Sequence, residues 1–166
     1  FFFFFFLKTR WFNSFQVSSF RFLEPHLHTR QFNFIYAMAT ITKFEDLEIW
    51  QEARKLAKEV FILSKETDLK TDFRFKEQIK ASSGSVMDNI AEGFERDGNL
   101  EFRQFLSVAK GSAGETRSQI YRLYDCEYIS EEQFKDLKNK YENLSGKIKN
   151  FITYLNKKDF KGNKFQ

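Results

Sequence analysis

The chain has 166 residues and a formal charge of +4, from 27 Lys and Arg against 23 Asp and Glu, with two His and a single Cys. That length suits one ordinary domain, and 42% apolar residues are enough to build its core. Cys126 alone cannot close an internal disulfide, and no run of about 18 apolar residues is present to span a membrane.

The two ends of the chain differ in kind. Residues 1–37 hold 12 of the 23 Phe, both His (His26 and His28), the only Pro (Pro25), and four basic residues against one acid, Glu24. The 129 residues from Met38 onward keep 23 basic and 22 acidic side chains, a net +1, and contain no His. This longer part therefore lacks the commonest general base and the commonest zinc ligand. Phe1–Phe6 and Leu7 make a short apolar run with no basic segment ahead of it, a poor match to a secretory signal. Trp11, Phe12, Phe15, Phe20 and Phe22 follow with neither helical nor strand period. The segment reads either as an aromatic interaction tail or as sequence lying upstream of a start at Met38. We expect the second, with 1–37 a disordered extension and 38–166 the folded domain.

From Phe44 a helical period sets in. Leu47, Trp50, Ala53, Ala57, Val60, Phe61 and Ser64 recur at steps of three and four, predicting an amphipathic helix over about 45–66. Glu45, Asp46 and Glu48 sit in its first turn, where the helix dipole favours negative charge. Phe75, Ile79, Ser82, Val86, Ile90 and Gly93 mark a second helix over about 72–95. After the turn signal Asp97-Gly98-Asn99, a third helix runs over about 100–125 on Phe102, Phe105, Leu106, Ala109, Ser112, Ala113, Thr116, Ile120 and Leu123. Ser130-Glu131-Glu132-Gln133 is a capping box that opens a fourth helix over about 131–157. Its stripe is Phe134, Leu137, Tyr141, Leu144, Ile148, Phe151 and Leu155, alternating steps of three and four in the manner of a coiled-coil seam. The fold class is all-α, an antiparallel up-down-up-down four-helix bundle.

Antiparallel pairing about residue 97 sets Ser82-Ser83-Gly84-Ser85 level with residues of about 109–112, beside Gly111-Ser112-Ala113-Gly114. Glycine inside a helix costs about 1 kcal/mol relative to alanine, so these runs need a reason. Close approach of the two backbones is the favoured one; a shallow pocket or a subunit contact is the other. The same register places Glu92 opposite Phe102–Arg103 and Glu115 opposite Ile79–Lys80, as candidates for interhelical ion pairs.

Three segments resemble one known family. Phe44-Glu45-Asp46-Leu47-Glu48-Ile49-Trp50-Gln51-Glu52-Ala53 is similar to its opening motif, and Asn89-Ile90-Ala91-Glu92-Gly93 to its central signature. Phe102, Phe105-Leu106, Ala109-Lys110-Gly111-Ser112 and Glu115 resemble its third block. The family is the four-helix-bundle 23S rRNA intervening-sequence proteins, which also resemble accessory proteins of diversity-generating retroelements. The resemblance covers roughly 41–157 and implies a bacterial, cytoplasmic bundle that assembles as a ring-like homo-oligomer, commonly a pentamer. It also implies a role with ribosomal or other structured RNA, because members are encoded within insertions in ribosomal RNA genes. No catalytic activity comes with it. The pattern departs here at Lys80-Ala81, where a basic pair is usual, and at Glu95, where Gly is usual.

Enzyme chemistry has little to stand on in the main segment. Di-iron bundles need Glu-x-x-His pairs, and no His is available. Cys126, between Asp125 and Glu127, is a poor nucleophile and reads as an ordinary partly buried residue. We expect no enzyme, no metal and no cofactor. For nucleic acid the candidate contacts are Lys80, Arg96, Arg103, Lys110 and Arg117, with Lys157, Lys158, Lys161 and Lys164 as a second set. The competing reading is an assembly or adaptor protein docking a protein partner. In that reading Asn89 bonds backbone groups and Glu92 pairs across helices, while Ile90, Ala91, Gly93, Gly111, Ser112 and Glu115 hold helices or subunits together. Trp50, Phe61, Phe73, Phe75, Phe94, Phe102 and Phe105 are more large aromatics than one small core holds, which points to self-association.

Overall fold

Four helices, antiparallel in sequence, make up nearly all of the computed structural model, which describes residues 41–96 and 98–157. The expectations for 1–37 and for Lys158, Lys161 and Lys164 lie outside those residues. The helices are α1 (Glu48–Glu66), α2 (Phe73–Glu95), α3 (Asn99–Asp125) and α4 (Glu131–Lys157). The expected first helix is broken near its start. A 3-10 turn over Phe44–Asp46 precedes it, and Leu47 takes extended backbone so that its carbonyl accepts from the N–H groups of Trp50 and Gln51, both at 3.0 Å.

Local chemistry fixes the other ends. The Asp72 carboxylate accepts from the Phe75 N–H at 3.0 Å and caps α2. Gln133 accepts from the Ser130 N–H at 2.9 Å while Ser130 Oγ accepts from the Gln133 N–H at 3.2 Å, the reciprocal box expected for α4. Between α3 and α4, Glu127 adopts φ 58°, a conformation more often given to glycine, and the Tyr128 N–H reaches back to the Leu123 carbonyl at 2.9 Å.

All four stripes meet in one core. Phe102 lies at its end, edge-on to Phe94 on α2 (5.9 Å) and to Phe151 on α4 (5.6 Å). Trp50, Phe75, Phe94 and Phe102 are buried, but Phe61 and Phe73 are 43% and 71% exposed, each with a lysine ammonium over its ring. Cys126 is exposed rather than partly buried.

The seams differ in what holds them. The backbones of neighbouring helices approach least between α1 and α4, where two lysines bridge the gap. Lys140 pairs with Asp136 (2.7 Å) and with Glu59 of α1 (2.9 Å); Lys147 pairs with Glu48 (2.7 Å) and Glu52 of α1. These carboxylates hold both ammonium groups above their ordinary range, Asp136 first for Lys140 and Glu48 first for Lys147.

Close approach governs one glycine among the described residues. A Cβ on Gly93 would stand 2.5 Å from Phe105 Cβ and 3.1 Å from Phe102 Cδ2. At Gly111 and Gly114 nothing lies within 4 Å of that position, and at Gly84 only the Asp88 carboxylate does, at 3.9 Å. The close-approach explanation therefore fails for the two small runs and holds for the signature Gly93. We expect Gly93→Ala to cost about 1–3 kcal/mol by overpacking, and Gly111→Ala to raise stability by up to about 1 kcal/mol through helix propensity. Urea unfolding of both variants measures this.

Tyr141 adds a second test. Its side chain is 1% exposed and its hydroxyl has no hydrogen-bond partner among the described residues, the nearby Ser83 hydroxyl being committed to the Lys80 carbonyl at 3.0 Å. Burial, then Glu59, pushes the phenol well above its ordinary range. The unfolded phenol ionises near pH 10 while the native one keeps its proton, so this contribution is intact below about pH 10 and falls by about 1.4 kcal/mol per pH unit above it. Tyr141→Phe should match the wild type at pH 7 and lose less stability than it between pH 10 and 11, as read by denaturant titration.

Candidate nucleic-acid interface

The α2–α3 seam is built from small polar side chains. Ser85 and Ser112 hydroxyls meet at 3.0 Å, Thr116 Oγ1 donates to Ser82 Oγ at 3.0 Å, and Ser82 Oγ donates to Gln119 Oε1 at 2.6 Å. Ser82, Thr116 and Gln119 are buried, so each bond satisfies a group that would otherwise be costly. The facing positions lie about one turn further along α3 than the turn at residue 97 implies. Side chains on each helix lean toward its own N-terminus, so on antiparallel neighbours a residue of α2 meets a later residue of α3 than the one level with its Cα.

That lean redirects the expected ion pairs. Glu92 bonds Arg96 of its own helix at 2.9 Å rather than Arg103, and Arg96 also lies 5.4 Å over the Phe105 ring. Glu92 draws the Arg96 pKa further upward by that bond. Glu115 accepts from Gln119 at 3.2 Å within α3 and does not reach Lys80. Asn89 bonds backbone, donating to the Ser85 carbonyl at 2.7 Å and to its hydroxyl at 2.9 Å. Ile90 is fully buried, and Ala91 packs partly against the core. Of these signature residues Asn89, Glu92 and Glu115 thus spend their polar groups within their own helical segments, and Gly93 is the one closely crowded by α3.

The five candidate cations do not form one surface. Lys80 lies on the flank of α2 away from α3 and pairs with Glu77 at 2.8 Å; its hydrogen bond holds the Glu77 carboxyl below its usual range. Arg96 lies at the far end of α2. Arg103, Lys110 and Arg117 form a true row, seven residues apart on the flank of α3 that faces α4, over about 21 Å. Arg103 donates to the Asn156 side chain, and Arg117 stands 3.9 Å from Glu142.

Those two contacts fix the register of α4. Glu142, Lys149 and Asn156 are also seven residues apart, so Lys149 comes level with Lys110. Lys138 joins the row, 3.8 Å from the same Glu142. Among the described residues neither Lys110 nor Lys149 forms an ion pair, and Glu142 serves both Arg117 and Lys138. Five cations therefore line this flank around one carboxylate. Lys138 and Lys149 were missed in the sequence, where only the Glu142–Lys149–Asn156 spacing hinted at them. Lys157 closes α4 and is exposed.

Other concavities offer less. An open groove of about 580 Å³ between α1 and α4 is lined by Glu52, Lys55, Leu56, Glu59, Lys140 and Lys147, and its carboxylates Glu52 and Glu59 are already paired with Lys147 and Lys140. Among the described residues no helix is long and apolar enough to cross a membrane.

Comparison with known proteins gives two findings. The family model described as 23S rRNA-intervening sequence protein matches residues 45–150. A crystal structure of a protein of unknown function from the S23 ribosomal protein family of Bacteroides thetaiotaomicron superposes with a TM-score of 0.59 at 22% identity, covering 63% of this chain and 95% of that one. At that identity the likeness speaks for the fold. No curated protein matches the chain.

Proposed function

The chain belongs to the 23S rRNA-intervening sequence protein family, and from that premise we propose that it is a non-catalytic, self-associating bundle that binds structured RNA along the α3–α4 flank. The observation that carries the reading is the pair of contacts Arg103–Asn156 and Arg117–Glu142, whose register brings Lys110 level with Lys149, neither of them in an ion pair among the described residues. An anion lying along the seam would find both ammonium groups free to meet it. Arg103 and Arg117 on α3 and Lys138 on α4 extend the same field along the seam. Ribose-phosphate backbone suits such a row, because each ammonium or guanidinium that neutralises a phosphate releases a counterion.

Self-association is supported by apolar side chains outside the finished core. Leu100 and Val108 on α3 are 60% and 53% exposed, and Phe61 and Phe73 are uncovered as well. A ring, a pentamer in the reading from the resemblance, would repeat one cationic row around an axis and multiply its affinity for a ligand that reaches several copies. The same apolar residues favour the second reading, an adaptor that docks a protein partner without touching RNA.

Titration against structured RNA separates the two. The wild type should bind with low-micromolar affinity in about 100 mM salt, with log affinity falling linearly in log salt. Lys110→Glu with Lys149→Glu should weaken binding by more than about tenfold and flatten the salt slope by about 2, while helicity and elution volume stay as they were. Absence of wild-type binding to several RNAs would favour the adaptor.

A further inference from the structure

The acids and bases of α1 are sorted by face. Glu48, Glu52 and Glu59 turn to α4 and are held by Lys147 and Lys140. Arg54, Lys55, Lys58 and Lys65 are exposed and form no ion pair among the described residues. Along the outer face of α1, Arg54, Lys58, Phe61 and Lys65 follow at steps of four, three and four, and Phe61 is 43% exposed. The outer face of α2 repeats those steps with opposite charge and smaller volume: Glu77, Ala81, Gly84 and Asp88. Ala81 and Asp88 are exposed, Asp88 forms no ion pair among the described residues, and Glu77 is held only by Lys80 with its side chain 64% exposed.

Eleven residues separate Arg54 from Lys65, and eleven separate Glu77 from Asp88, about 16 Å along either helix. We infer that α1 of one copy packs against α2 of the next, the two helices antiparallel. Arg54 then faces Asp88 and Lys65 faces Glu77. Phe61 lies over Ala81, and Gly84 leaves room for the stem of Lys58. Gly84 is not required by packing within the chain, since a Cβ there would meet only the Asp88 carboxylate. RNA could engage the cations of α1 but would leave the Phe61 ring between them exposed, whereas a helix bearing acids and small residues takes both. The contact joins two different patches, so every copy keeps a free face for another until the assembly closes on itself. This inference rests on the self-association proposed above and names the surfaces that make it.

Light scattering after size exclusion of the full chain tests it, with four proteins compared. The wild type should be an oligomer at micromolar concentration. Arg54→Glu with Lys65→Glu, and separately Glu77→Lys with Asp88→Lys, should each raise the concentration needed for assembly at least tenfold. The chain carrying all four reversals restores both charge pairs and should assemble again. Should a double variant lose helicity by circular dichroism, Phe61→Glu at its exposed position gives the same readout and should also dissociate the oligomer. Double variants that assemble like the wild type, or a fourfold variant no better than the doubles, overturn these surfaces and leave self-association standing. A monomeric wild type overturns both.

Discussion

Phe102 packs where α2, α3 and α4 meet, and Gly93 leaves room beside it, since a Cβ there would strike Phe105 and press on the Phe102 ring. The ring meets Phe94 and Phe151 edge-on, while its neighbour Phe105 occupies the volume that a Cβ on Gly93 would need. From there the α2–α3 seam runs outward as paired hydroxyls and one buried amide, Ser85 with Ser112 and then Ser82 with Thr116 and Gln119. Buried polar groups specify partner and register more sharply than apolar contact does, since a slip leaves each of them unsatisfied. The positions of every candidate cation on α3 follow from that register.

The charges divide in the same orderly way. Carboxylates on one face of α1 are consumed by lysines of α4. What remains is a cationic outer face on α1, an acidic outer face on α2, and a cationic row between α3 and α4. A net charge near zero from Met38 onward hides this arrangement, because opposite signs cancel in the sum and not in space. The helical bundle thus carries these cations and carboxylates on separate flanks.

Much of this was legible in the sequence. Periodicity placed the helices because each buries one continuous stripe, and the capping box at Ser130 marked the start of α4 to the residue. The break at Leu47 was less visible, since the same residue serves a turn and a stripe. Pairing of side chains across α2 and α3 was misjudged by about a turn, because counting from the connecting residues ignores the lean of the Cα–Cβ bonds. For that reason Glu92 and Glu115 find partners in their own helices. Glycine spacing gave no means of telling Gly93, which a neighbour crowds, from Gly111 and Gly114, which nothing touches. Lys149 emerged only from the α3–α4 register, which no local pattern encodes. The Asn89 bond to backbone followed from the residue type.

Closure of the bundle falls to α1 and α4, the helices furthest apart in sequence, and lysine bridges span the wider gap between their backbones. Screening acts on partly exposed charges and leaves buried methyl and ring contacts almost untouched. Ionic strength therefore acts on this edge through its lysine bridges, and leaves the hydroxyl-built α2–α3 seam as it is. The docking of the first helix on the last is in part electrostatic, while its buried stripe stays anchored in the common core.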